Sequence, residues 1–205
     1  MAKKVCAVLV FVAASAFASD DDCLRCHGES DEARATGAPL VQREILDRSI
    51  HADLGCAECH IVNSQMRHAG LREVLCGKCH LDAAEGYALS PHVQGREVSI
   101  EDIPTCATCH GGHMILAVDD PESATNHRNS VSICIKCHED QQIKDKFEVL
   151  PEPQMIRAYE NSVHGQALME RNNLEAPACV DCHGSHAFKP SDDPESPVYK
   201  THISA

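Results

Sequence analysis

The chain has 205 residues, a formal net charge of −13, no Trp, and only four Phe and three Tyr. An acidic surface of this kind argues against nucleic acid as a partner and favours basic or cationic ones. So few large aromatics cannot supply the core that a chain of this length should bury, so something else must fill the interior.

Residues 1–18 open with Lys3 and Lys4, run apolar from Val5 to Ala14, and end in Ala16-Phe17-Ala18. That is the pattern of a secretory signal peptide cut after Ala18. The competing reading is an uncleaved membrane anchor. It falls short of the ~20 apolar residues a spanning helix needs, because Ser19-Asp20-Asp21-Asp22 follows at once. Cys6 lies in the leader with no lipobox around it and is expected to leave with it. The expected organisation is a leader, 1–18, and one domain, 19–205, exported to the periplasm or beyond the cell. Losing the two leader lysines takes the formal charge from −13 to −15.

All twelve remaining cysteines fall in C-x-x-C-H motifs. In chain order these are Cys23/Cys26/His27, Cys56/Cys59/His60, Cys76/Cys79/His80, Cys106/Cys109/His110, Cys134/Cys137/His138 and Cys179/Cys182/His183. The motif has the form of covalent c-type haem attachment. Two sulfurs on one tight turn reach the two vinyl groups, and the next residue aims an imidazole at the iron. Zinc knuckles, a redox dithiol and a disulfide scaffold are the alternatives. Zinc sites need no histidine after every second cysteine, a redox dithiol is not repeated six times, and no cysteine is left over for a conventional disulfide. The expectation is six covalent haem c groups with their iron, and porphyrins in place of the missing core.

The motifs fall into three two-haem units, about 19–70, 71–128 and 129–205. Each has a first motif, an S-x-H, a second motif and a later histidine. The S-x-H segments are Ser49-Ile50-His51, Ser90-Pro91-His92 and Ser162-Val163-His164. After the second motif, HGGHMILAVDDPESATNH in unit two matches HGSHAFKPSDDPESPVYKTH in unit three. These spacers end at His127 and His202. Unit one reads HIVNSQMRH instead, with His68 the counterpart of His127. Repetition of this kind predicts stacked units, none able to bury its own faces alone. Helical spacing predicts one helix over 153–172 carrying His164 and another over 40–54 carrying His51. The predicted fold class is mainly α with much irregular loop, a haem-packed core and no significant sheet.

The motifs supply six proximal iron ligands: His27, His60, His80, His110, His138 and His183. Eight histidines remain, and His51, His92, His164, His113 and His186 recur in repeated settings. These five are the expected sixth ligands, with His68 next and His127 close behind it. Spacing does not say which histidine serves which iron. Met66, Met114, Met155 and Met169 stand in no repeated position, and Met155 and Met169 are expected to pack against haem or helix. Bis-histidine ligation at all six irons is the leading expectation, giving low-spin haems of comparatively low potential.

The order C-x-x-C-H, S-x-H-G, C-x-x-C-H-G-S-H and a DPxS spacer resembles exported bacterial multihaem cytochromes c. Similar arrangements occur in the small pentahaem electron donor to nitrite reductase and in the decahaem periplasmic subunit of outer-membrane electron conduits. The resemblance implies a periplasmic carrier that passes single electrons between other redox proteins through closely spaced haems. Those partners would be a quinol dehydrogenase, other cytochromes or a terminal reductase, with no nucleic acid and no stable membrane span. No catalytic residue is expected of a carrier. A multihaem reductase of nitrite, hydroxylamine or a sulfur oxyanion is the alternative, and it needs one open iron with a polar pocket. A membrane-anchored quinol dehydrogenase is disfavoured by the short leader. A polymerising extracellular cytochrome is a further alternative, in which His202 would ligate a haem of a neighbouring molecule.

Overall fold

The computed structural model describes residues 19–61, 74–94, 102–147 and 153–202, so the leader, Met66 and His68 lie outside the described residues. The elements in chain order are α1 (Asp20–His27), α2 (Asp31–Thr36), α3 (Arg43–Asp47) and α4 (Cys56–Cys59), then a 3-10 turn (Cys76–Lys78), α5 (Leu81–Ala88) and α6 (Cys106–His110). They continue with α7 (His127–His138), α8 (Gln141–Lys146), α9 (Pro153–Glu160), α10 (Val163–Gly165), a π turn (Gln166–Glu170) and α11 (Cys179–His183). Among the described residues there is no strand, only an isolated bridge between His60 and Val74. The fold is mainly α with much irregular loop, as the sequence predicts.

Every motif lies on a helical turn, and local capping explains several of them. Ser19 opens α1: its hydroxyl accepts from the Asp22 N–H, and the Asp22 carboxylate accepts from the Ser19 N–H. Asp20, Asp21 and Asp22 then sit at the positive end of the helix dipole. Asn126 caps α7, the helix that carries the fifth motif in its last turn.

Two predicted helices are shorter than their spacing suggested. Within 40–54 only Arg43–Asp47 is helical. Ser49 is drawn away because its hydroxyl and the Ile50 N–H both donate to the Ile115 carbonyl, at 3.2 and 2.8 Å. Within 153–172, α9 stops at Glu160, and Ser162 starts a new turn by accepting from the Gly165 N–H at 3.1 Å. Serine side chains offer the backbone such alternatives to a continuous helix. Gly165 permits the break, since a Cβ there would lie 2.1 Å from the Tyr159 carbonyl oxygen. Val163, in phase with the inner face of an unbroken helix, is 73% exposed as a result.

The buried apolar cluster is small. Val131 of α7, Leu168 of the π turn, and Ala176 and Ala178 ahead of α11 form it, with Ile135, Tyr159 and Met169 packed around them. Burying a residue such as Leu168 contributes about 2 kcal/mol, and few residues here do so. Elsewhere large apolar side chains lie exposed beside the motifs: Ile61 after His60, Leu75 before Cys76, Leu81 after His80. Met155 is also exposed rather than packed. Side chains alone give this chain little interior.

The fine repeat is a repeated turn. Asp120 and Asp193 each accept, at 2.8 Å, from the N–H two residues on, Glu122 and Glu195. The buried Ser123 and Ser196 hydroxyls then donate to the Leu116 and Lys189 carbonyls, at 3.4 and 3.3 Å.

Candidate haem-ligating centres

Gly111 and Gly184 end α6 and α11 immediately after the motif histidines, at φ +84° and +83°. Glycine adopts this left-handed backbone without the steric cost of a Cβ, and the chain turns sharply into His113 and His186. In unit one His60 is followed by Ile61, and its backbone leaves extended at φ −99°, ψ 138°. This is the physical counterpart of the missing H-G-x-H.

Among the described residues, four motif histidines face a second histidine ring. The ring centres of His51 and His80 are 5.9 Å apart, those of His60 and His113 6.0 Å, those of His92 and His138 6.2 Å, and those of His110 and His186 5.9 Å. Two imidazoles on opposite faces of one iron, each bonded at about 2 Å, would hold their ring centres roughly 6 Å apart. The residues present fit the group the motifs imply. Each pair also crosses a unit boundary. His51 of unit one faces His80 of unit two, and His92 of unit two faces His138 of unit three. In the other direction, His113 of unit two faces His60 of unit one, and His186 of unit three faces His110 of unit two.

The other predicted ligands are placed differently. His27 holds the Pro39 carbonyl through Nδ1 at 2.8 Å, an arrangement that orients the ring. His127 turns its Nε2 to Asp181 Oδ2 at 2.7 Å, so that nitrogen contacts the sixth motif's own carboxylate. The bond holds the Asp181 carboxyl below its ordinary range. His202 bonds the Ser196 carbonyl through Nδ1 at 2.7 Å and sets its ring edge against Tyr199. His164 is exposed on α10, and His183 is half-buried. Among the described residues neither takes part in a ring pair of the kind above. Burial pushes both His110 and His183 below the usual histidine range, which favours the neutral ring a metal requires.

None of the described cysteines is in a disulfide. As free thiols they report on one another. Burial pushes Cys56 up to about 12, with Asp20 and Cys23 adding to it. Burial and then Cys106 raise Cys76, with Cys59 contributing, and burial with Cys137 raises Cys109. Cys134 donates to Cys179, which raises the first and lowers the second to about 7. Each motif is thus within electrostatic reach of the next along the chain. A cavity of about 450 Å³ opens beside His186, Ala187 and Gly86, and one of about 330 Å³ beside Cys79, His80 and Leu81.

One pair of supports escaped the sequence reading. The Tyr87 hydroxyl donates to the Pro104 carbonyl, and the Tyr159 hydroxyl to the Pro177 carbonyl at 2.8 Å. Burial pushes both phenols up to about 12. Each tyrosine stands three residues before the S-x-H serine, and each proline two before the next motif. The pattern Y-x-x-S-x-H … P-x-C was legible and went unread. Unit one has Leu46 and Leu54 at these places; there the Cys56 N–H donates to Asp20 Oδ1 at 2.8 Å instead.

Residues 48–139 match the family model of cytochrome c3. That segment is similar to the multihaem cytochromes c. The matched segment covers somewhat under half of the chain, yet contains the second to fifth motifs and three of the four histidine pairs; the fourth joins His110, inside it, to His186, beyond it. No curated protein and no solved structure gives a significant match. Electron transfer through covalent haem c is the general role of such a family, and no described helix is long and apolar enough to cross a membrane.

Proposed function

We propose that this chain is a periplasmic six-haem electron carrier, exported by a leader of residues 1–18 and relaying single electrons between redox partners. The haems supply the one-electron chemistry. The polypeptide's part is to attach, orient and enclose them. Cys23, Cys26, Cys56, Cys59, Cys76, Cys79, Cys106, Cys109, Cys134, Cys137, Cys179 and Cys182 would attach them. His27, His60, His80, His110, His138 and His183 would stand on one axial side. On the other side His113 would serve the haem of His60, His51 that of His80, His186 that of His110 and His92 that of His138, a reading the ring separations support. The observation that carries this reading is the set of four separations between 5.9 and 6.2 Å. Closed axial positions suit a carrier, because a substrate has nowhere to bind. The electrostatic influence of each motif's cysteines on the next supports one continuous row of redox sites. His68 and His127 stay as candidates for the rest.

The test is the ferric EPR and absorption spectrum of the mature holoprotein, repeated with carbon monoxide after reduction, alongside its intact mass. A carrier gives a mass with six haems, low-spin signals at the four paired irons and no carbon monoxide shift from them. A reductase with an open site is favoured if carbon monoxide binds one iron; His27 and His183, which join no histidine ring pair among the described residues, mark where that iron would lie.

A further inference from the structure

At both junctions between units, the same two histidines of one unit meet the next. The S-x-H histidine faces the first motif of the following unit, His51 against His80 and His92 against His138. The second-motif histidine faces the following unit's H-G-x-H, His60 against His113 and His110 against His186. Each junction is thus a reciprocal exchange of rings, and its faces are covered. Ser49 is buried and bonds the Ile115 carbonyl of unit two at 3.2 Å. Ser90 is wholly buried, and His92 lies edge-on to Phe188 of unit three at 5.0 Å. Gly86, just ahead of Tyr87, is covered as well: a Cβ there would meet Ala187 and His186 of unit three at 3.4 and 3.6 Å.

Unit three carries the same two histidines on segments tied the same way, Tyr159 to Pro177 as Tyr87 to Pro104. Among the described residues neither His164 nor His183 joins a ring pair. Their face is also uncovered. His164 is exposed where His51 and His92 are half-buried, and Ala158, the equivalent of Gly86, is exposed. Met155, at the place of Ala83, is 50% exposed. The Ser162 hydroxyl turns inward to the Tyr159 carbonyl at 2.7 Å, not to another unit as Ser49 does. We infer that this face docks a further two-haem unit of a partner c-type cytochrome, built as unit two is. The partner's first motif takes His164 as its sixth ligand, and the partner's H-G-x-H gives a ring to the haem of His183. A second copy of this chain does not meet that need. Its unit one reads HIVNSQMRH where H-G-x-H is required, and its His113 and His186 already face rings of their own. The junction is the head-to-tail kind by which stacked repeats extend. It carries the row of haems across to the partner. This inference rests on the bis-histidine reading above.

The experiment starts from the full holoprotein. Ferric EPR, carbon monoxide binding after reduction and native mass should show a monomer with a high-spin iron that binds carbon monoxide. Cys179→Ala with Cys182→Ala should remove one haem by mass and that signal with it. His164→Ala should change no iron in this chain, because the haem it serves belongs to the partner. A copy of unit two, residues 71–128, is then appended to the full chain as the probe. The extended chain should carry eight haems by mass, and the iron of His183 should turn low-spin and lose its carbon monoxide binding. In it, His164→Ala should open the iron of the appended first motif, and His113→Ala in the appended copy should reopen that of His183. A low-spin His183 iron in the unextended monomer, its closure through self-association, or an iron opened there by His164→Ala would each overturn the inference. So would an eight-haem extended chain whose iron stays open, which favours the reductase. The first three outcomes need no extension, so the test stands even where the extended chain fails to mature. His92→Ala is the control: if it does not open the iron of His138, the bis-histidine reading fails instead, and the two failures are distinguishable.

Discussion

The S-x-H of unit two and that of unit three carry the same support, a tyrosine three residues upstream bonded to the proline before the next motif. Their surroundings differ. Ser90 is fully buried and His92 lies between His138 and Phe188, whereas Val163 and His164 stand in solvent. Local sequence therefore builds the turn, but the adjoining unit decides what the histidine does. A histidine pair in this chain is a property of two units.

The comparison breaks most visibly if ligands turn out to be kept within units. His113 follows His110 by three residues yet faces His60. His113→Ala should open the iron of His60, leave that of His110 low-spin, and cost about 3 kcal/mol, in the range that losing a metal ligand reaches. Adding His60→Ala to it should cost little more, while adding His110→Ala should cost a second full increment; denaturant unfolding of the four variants forms the cycle. Equal coupling to His110 would restore the within-unit picture.

A smaller effect separates the third S-x-H from the first two. The residue after the histidine is Ala52 in unit one and Val93 in unit two, but Gly165 in unit three. The space explains it, since a Cβ at 165 would meet the Tyr159 carbonyl at 2.1 Å and neighbouring backbone at 2.9 Å. Gly165→Ala should cost about 2 kcal/mol by thermal unfolding, within the usual range for overpacking. Ala52→Gly should cost far less. A neutral Gly165→Ala would mean that α9 and α10 can separate, and that His164 is not held rigidly.

Next comes the tyrosine support. Tyr159→Phe leaves the Pro177 carbonyl without its donor and should cost about 1 kcal/mol, and Tyr87→Phe a similar amount through Pro104. Unit one, with Leu46, dispenses with this bond and uses Asp20 against the Cys56 N–H. Asp20→Ala should therefore disturb unit one as Tyr→Phe disturbs the others, read by the unfolding midpoint.

The motifs and the repeated histidine settings could be read from residues, because each is a local matter of a few adjacent positions. Fold class followed, since a chain with so few aromatics and so many attachment sites must pack around something other than itself. The pairings could not be read. His51 and His80, or His110 and His186, are brought together by the stacking of units, and no spacing within a unit encodes it. The broken helix before His164 failed for a related reason: Ile156, Tyr159, Val163 and Ala167 keep helical phase, but Ser162 caps a new turn and Val163 leaves the buried face. Tyr87 and Tyr159 were visible as residues, and their role appears only once Pro104 and Pro177 are seen against them.

The smallest expected effect compares equivalent residues inside two motifs. Thr108 and Asp181 both accept from the N–H that opens their helical turn, Thr105 at 2.9 Å and Ala178 at 2.6 Å. Asp181 adds a charge and a bond to His127. Its carboxyl is held below the ordinary value of 3.8, first by His127 and then by the Ala178 N–H. A depressed folded pKa stabilises at pH values above the unfolded one, and that contribution is lost as the pH falls through the folded value. The side chain is 45% exposed, so solvent screening should keep the contribution below about 1 kcal/mol. Asp181→Thr would copy unit two, keeping the cap and removing the charge. Urea unfolding should then show a small loss at pH 7 that fades as the pH falls through the lowered native value and the carboxyl protonates. A loss that persists unchanged at low pH would assign the effect to the cap alone, and the two motifs would differ in sequence without differing in physics.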